Sequence, residues 1–167
     1  MTENEKRHNF RLTRDDLNGL KKIALQEHKN FFKRNRKSKK LSKAYTSKLF
    51  CIALCQGAAI HYIDHKNGIK DFDVWLFYKK DDKVNFPDRS KKSIENGYRK
   101  IRIDFIKRSI PSHYFLKNKR PDAVLLKFFS DRDPKRKNIL KKAIIGLYPK
   151  SIFDTKIWIN PEIFKRS

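Results

Sequence analysis

CQGAAIHYIDHKNGIKDFDVWLFY, residues Cys55 to Tyr78, decides how the rest of the chain is read. The run Leu49 to Gln56, whose members favour extended structure, reads as a central strand. Gly57-Ala58-Ala59 permits a tight turn, Ala59 to Asp64 suits a short helix, and Asn67-Gly68 is a turn signal. Asp71 to Tyr78 is apolar apart from its two aspartates and its final tyrosine, so it reads as a second strand. Side chains at i and i+2 of a strand share a face, which sets Asp71 and Asp73 roughly 7 Å apart on one side. Trp75 and Phe77 belong to that side, where core packing is the expectation for Trp75; Phe72, Val74 and Leu76 bury on the other.

Two anions so close on the inner part of a sheet repel and lose hydration, so they are half protonated or they share cations. A pair of divalent ions about 4 Å apart is one solution, and it is the arrangement that supports in-line phosphoryl displacement. A third carboxylate on a neighbouring strand would complete the ligand set. Asp104, isolated in IRIDFI (Ile101 to Ile106), is placed to supply it. A helix opened at Gly57 would offer its free N–H groups to a phosphate, and glycine lets the ligand approach closely. The competing reading pairs the acids with Lys70, Arg102 or another cation, and makes Gly57 a plain turn former.

Composition points the same way. The chain has 167 residues, 42 Lys+Arg against 18 Asp+Glu, and a formal charge of +24, which implies a polyanionic partner. Lysine-rich solubility is the plainer alternative. A 13% aromatic content argues for a packed core and against disorder over the whole chain. The two cysteines, Cys51 and Cys55, would stand roughly 13 Å apart along a strand and cannot bridge. Reduced buried thiols, short apolar runs and an N-terminus without an apolar signal region predict a cytoplasmic protein with no membrane contact.

Further along the chain, Thr13 and Asp16 form a capping-box variant, and Leu17, Leu20, Ala24 and Phe31 recur at helical spacing behind it. Lys33 to Lys43 carries seven basic residues in eleven and reads as a flexible arm or a helix tail. Lys79 to Asn96 reads as a polar connection ending at an Asn96-Gly97 turn, and Ile101 to Ile106 as a third strand. Asp122 to Phe129 is assigned as strand. Asp133-Pro134 is expected to open a helix whose apolar face holds Leu140, Ala143, Ile144 and Leu147, with Gly146 and Pro149 near its end. Thr155 to Asn160 is a last strand. The class expected is α/β (α+β), a small mixed sheet with flanking helices. Residues 1–44 form a helix and basic arm, and residues 45–167 the main body of one compact domain.

Gln56-Gly57-Ala58, the twelve residues Ala59 to Lys70, and Asp71-Phe72-Asp73-Val74 resemble the signature of the polymerase-β-like nucleotidyltransferase superfamily. That signature runs hydrophobic–Gly–Gly/Ser, a spacer, then Asp–hydrophobic–Asp/Glu–hydrophobic, with a third acid in a later strand, matched by Asp104. The resemblance spans roughly Leu49 to Lys107. It implies that Asp71, Asp73 and Asp104 bind two Mg²⁺ ions, with Mn²⁺ as a substitute. It further implies that Gln56, Gly57, Ala58 and Arg102 hold a nucleoside triphosphate, whose nucleoside monophosphate passes to an acceptor hydroxyl, with RNA as the expected acceptor. Gln56 stands where the family has an apolar residue and Ala58 where it has Gly or Ser, so a catalytically silent module that binds RNA or nucleotide is the alternative. A metal-dependent nuclease ranks third, because Asp104 and Lys107 lack the acid-x-Lys spacing. His61, Asp64 and His65 form H-x-x-D-H, close to a zinc-peptidase pattern, but no third ligand is evident and a solvated or capping pair is expected. Arg99, Lys100, Arg102, Lys107 and Arg108 flank Asp104 and suit a triphosphate or an acceptor backbone.

Overall fold

The computed structural model describes residues 6–34, 39–88, 90–117, 120–136 and 142–166. Helix α1 (Arg14–Arg34) and the short α2 (Lys39–Tyr45) precede strand β1 (Leu49–Cys55), α3 (Gln56–Asp64) and β2 (Phe72–Lys79). A hairpin of β3 (Ser90–Tyr98) and β4 (Ile101–Ile110) follows, then α4 (Pro121–Arg136), β5 (Ala143–Tyr148) and β6 (Lys156–Ile159). The six strands form one mixed sheet in the order β3-β4-β2-β1-β5-β6, antiparallel except for the parallel pair β2 and β4. The fold is mixed α+β.

Strand alternation divides the core into two layers. Ile52, Leu54, Phe72, Val74, Leu76 and Phe105 bury on one face, in one cluster with Leu17, Leu20, Ala24 and Phe31 of α1 and Ala58, Ala59 and Ile60 of α3. Cys51, Ala53, Cys55, Trp75 and Phe77 bury on the other against Val124, Leu125, Phe128 and Phe129 of α4. Both cysteines are free, and full burial pushes their thiols well above the ordinary range.

Helix α1 starts where its cap predicts. The Thr13 amide donates to Asp16 Oδ2 at 2.8 Å, and Asp16 also accepts from Tyr98 Oη at 2.6 Å and pairs with Arg99 Nε at 2.9 Å. Burial would raise the Asp16 carboxyl, but these donors outweigh it and hold the carboxyl below its ordinary range. The same acid therefore caps a helix and ties the β3–β4 hairpin to it. A second tie is buried. Lys107 Nζ lies 2.6 Å from Glu27 Oε2, both side chains are at most 2% exposed, and Arg34 forks onto the same carboxylate, Nη2 at 2.6 Å from Oε2 and Nη1 at 3.0 Å from Oε1.

Four expected elements take another form. Asp122 to Phe129 belongs to α4, whose Val124, Leu125, Phe128 and Phe129 make a helical stripe against the sheet. Asp133-Pro134 lies in the last turn of that helix instead of opening a new one. Ala143 to Leu147 is strand β5, buried at every position because β1 and β6 flank it and both sheet faces are covered; Leu140 lies outside the described residues. Gly146 is there for clearance, since a Cβ would sit 2.1 Å from the Ile152 carbonyl oxygen. The connection after Lys79 contains β3, whose exposed edge position explains its polar sequence. Asn96-Gly97 falls where the register of that strand shifts, and the hairpin turns at Arg99-Lys100 instead. Of the basic run, Lys33 and Arg34 end α1 and Lys39 to Lys43 lie in α2; residues 35–38 lie outside the described residues.

Candidate functional site

The sequence places Asp71 just before β2 and Asp73 at its second position. Parallel pairing sets Asp73 directly beside Asp104 of β4, while β1 brings Cys55 to its other side. Period-two alternation then turns Asp73 and Asp104 to the α4 side of the sheet, with Asp71 just ahead of β2, and all three carboxylates are half-buried. One oxygen from each of Asp71, Asp73 and Asp104 lies within 4.8 Å of the others, so the three acids could hold a metal ion. Such hard oxygen donors suit an oxygen-seeking divalent cation.

The three acids are unequal. Asp104 accepts from Ser93 Oγ at 2.6 Å and pairs with Arg102 Nε at 3.2 Å. Asp71 pairs with Arg102 Nη2 at 3.0 Å. Asp73 receives no hydrogen bond or ion pair among the described residues. Burial, followed by the neighbouring charges of Asp71 and Asp104, pushes its carboxyl up to about 7; Lys142 and Lys91 oppose this without cancelling it. A lone half-titrated acid between two others is the signature of a centre short of positive charge.

Beside the acids, β1 turns into α3 at Cys55, the N-cap, and Gln56 adopts a positive φ of 65°. That turn sets the amino end of α3, whose first N–H groups have no partner within the helix, at a cavity of about 220 Å³. Gln56, Gly57 and Ala58 line it together with Asp71 and Asp73. Trp75 lines it too, and its buried Nε1 has no hydrogen-bond partner. Three cations complete the wall: Arg7, Lys70 and Lys142.

Arg7 and Lys142 were invisible to local sequence reasoning. His8 and Ile69 exchange backbone hydrogen bonds of 2.9 and 2.8 Å, which lays the N-terminal segment along the loop before β2 and delivers Arg7. Lys142 arrives just ahead of β5. Both depend on pairings between segments more than fifty residues apart.

Arg102 does not line this cavity. Its guanidinium bridges Asp71 and Asp104 from the far side and faces a second cavity. The other cations expected to surround Asp104 also disperse. Lys107 is buried on Glu27, Arg99 holds Asp16, and Arg108 stacks over Phe128 at 5.1 Å; Lys100 reaches the second cavity. Strand alternation sends residue 107 to the face opposite residue 104. The H-x-x-D-H group is structural. His61 is buried between Phe10 O at 2.6 Å and the Gly68 amide at 2.9 Å, and Asp64 caps the amides of Lys66 and Asn67. His65 sits beyond the helix end with φ 56°.

No protein-family model, curated protein or solved structure matches this chain. Fold and site together define a mixed α+β protein with a three-carboxylate centre, one helix N-terminus and a cationic cavity.

Proposed function

We propose that this chain is a metal-dependent nucleotidyltransferase that moves a nucleoside monophosphate from a nucleoside triphosphate to a hydroxyl of an RNA acceptor. The observation that carries the reading is the convergence of three carboxylates, two of which, Asp71 and Asp73, line a cavity at the amino end of α3 together with Arg7, Lys70 and Lys142. Asp71, Asp73 and Asp104 would hold two Mg²⁺ ions, with Mn²⁺ as a substitute, and unpartnered Asp73 fits that role. When bound, such ions neutralise phosphate charge and acidify a hydroxyl.

The remaining tasks fall to the chain itself. The N–H groups of Gly57 and Ala58, with Arg7, Lys70 and Lys142, hold the triphosphate oxygens. Asp104, fixed by Ser93, takes the proton of the acceptor hydroxyl as its oxygen bonds to the α-phosphorus. The bond from that phosphorus to the bridging oxygen breaks, and pyrophosphate leaves on the Arg7 and Lys142 side. The test incubates the full chain with each of the four nucleoside triphosphates, Mg²⁺ and an RNA oligonucleotide. Expected is pyrophosphate release matched by label on the RNA, both lost in EDTA and in Asp71→Asn. Transfer by Asp71→Asn at the parent rate would overturn the assignment.

The guanidinium of Arg102, already seated where a cation would bind Asp71 and Asp104, favours a second reading, a catalytically silent module that binds RNA or nucleotide. That reading is supported instead if binding is salt-sensitive, independent of metal and never releases pyrophosphate.

A further inference from the structure

Next to the α3 cavity lies a larger one, about 530 Å³, with Lys6, His8, Lys70, Lys100 and Arg102 among its walls and Glu95 as the acid. Lys70 lines both cavities, and Arg102 stands between them on Asp71 and Asp104. We propose that this second cavity seats the phosphate backbone of a single-stranded RNA whose end reaches the carboxylates from the side opposite the triphosphate. The proposal rests on the nucleotidyl-transfer reading for the direction of the strand. In-line displacement puts the entering oxygen and the leaving pyrophosphate on opposite sides of phosphorus, so two phosphate-bearing substrates require two cationic seats, and the second cavity meets the acids through Arg102.

The way the cavity is built argues for use. The hairpin turns at Arg99-Lys100, with φ of 50° and 64°, although Asn96-Gly97 lies three residues earlier. Asn-Gly is the better turn former, and two non-glycine residues at positive φ cost on the order of 1 kcal/mol each. What the chain obtains is a division of labour: Arg99 turns back onto Asp16 and the Phe10 ring, while exposed Lys100 faces the cavity. Two backbone bonds between His8 and Ile69 fix His8 in place, and Lys6, two residues earlier, lines the same cavity. Cations from the N-terminal segment, the loop before β2 and the hairpin thus converge on one hollow.

The experiment measures binding of a fluorescein-labelled ten-nucleotide single-stranded RNA by anisotropy in EDTA, without nucleotide, across a salt series. The double variant Lys6→Ala/Lys100→Ala is compared with Lys79→Ala/Lys80→Ala, which removes the same charge at the far end of β2. All four lysines are exposed, so both variants keep the fold, checked by circular dichroism. Expected for the first is at least a tenfold loss of affinity, and a salt slope shallower by about 1.4 if each lysine meets one phosphate. The second loses less than twofold, and Lys6→Arg/Lys100→Arg restores binding. Equal losses in both alanine variants, or no loss in the first, overturn the proposal. Failure of the transfer reading is separate: it shows as absent Mg²⁺-dependent nucleotide binding while the RNA result stands.

Discussion

Replacing Asp73 by asparagine should make the metal-free protein more stable while removing its response to metal. Asp73 lies between Asp71 and Asp104 with no cation in bonding distance among the described residues, and its carboxyl is raised to about 7. In the unfolded chain the same group titrates near its ordinary value of 3.8. A carboxyl raised by folding binds its proton more tightly in the native state. Its penalty is therefore absent below pH ~4, grows as pH rises from ~4 to ~7, and is constant above that. Three units at about 1.4 kcal/mol each give an upper bound of roughly 4 kcal/mol, and solvent relaxation brings the working range to about 2–4 kcal/mol. For a chain of this size that is a rise in Tm on the order of 10 °C at pH 8. Thermal unfolding of parent and Asp73→Asn is followed at pH 4 and pH 8 in EDTA and then in 10 mM Mg²⁺. Expected is little difference at pH 4 and the full gain at pH 8. Mg²⁺ should then stabilise the parent alone, by about 2.7 kcal/mol if its dissociation constant is a hundredfold below the added concentration. A variant less stable than the parent at pH 8 would refute the electrostatic argument, and equal stabilisation of both by Mg²⁺ would refute the metal centre.

Arg102→Ala removes the guanidinium that competes for oxygens of Asp71 and Asp104, so Mg²⁺ should bind severalfold more tightly; Trp75, in the cavity wall, reports the titration by fluorescence, and a weaker affinity would show that Arg102 supports the site instead. Glu27→Gln strands the buried Lys107 without a countercharge, a loss of about 3–5 kcal/mol in urea unfolding, whereas Glu27→Leu with Lys107→Met should recover most of it. Burial would raise the Glu27 carboxyl, but hydrogen bonds from Arg34 and Lys107 hold it below its ordinary value. Its contribution is therefore present above the unfolded carboxyl range and lost as pH falls through the lowered native value, which acid unfolding of Glu27→Gln against the parent would register. Gly146→Ala drives a methyl into the Ile152 carbonyl and should cost about 3 kcal/mol or more, read as a fall in Tm.

The candidate site was legible where the information is local. Period two in a strand puts Asp71 and Asp73 on one face whatever surrounds them, and the residues before them turn into a helix within a few positions. Asp104 could be named because a lone acid in an apolar strand is conspicuous, but only parallel pairing of β2 with β4 sets it opposite Asp73. Capping was equally local, and Thr13 with Asp16 behaves as its spacing says. The exchanged identities of Asp122–Phe129 and Ala143–Leu147 have a different origin. Short apolar runs fit helix and strand alike, and the choice falls to whatever they pack against. α4 has one face to cover, whereas β5 is enclosed by neighbouring strands and by both layers. Arg7, Lys142 and the cavity beyond Arg102 are tertiary in the strict sense. Charge acts through space, and only the fold decides which of forty-two cations stand beside three particular acids and which are spent on Glu27 and Asp16.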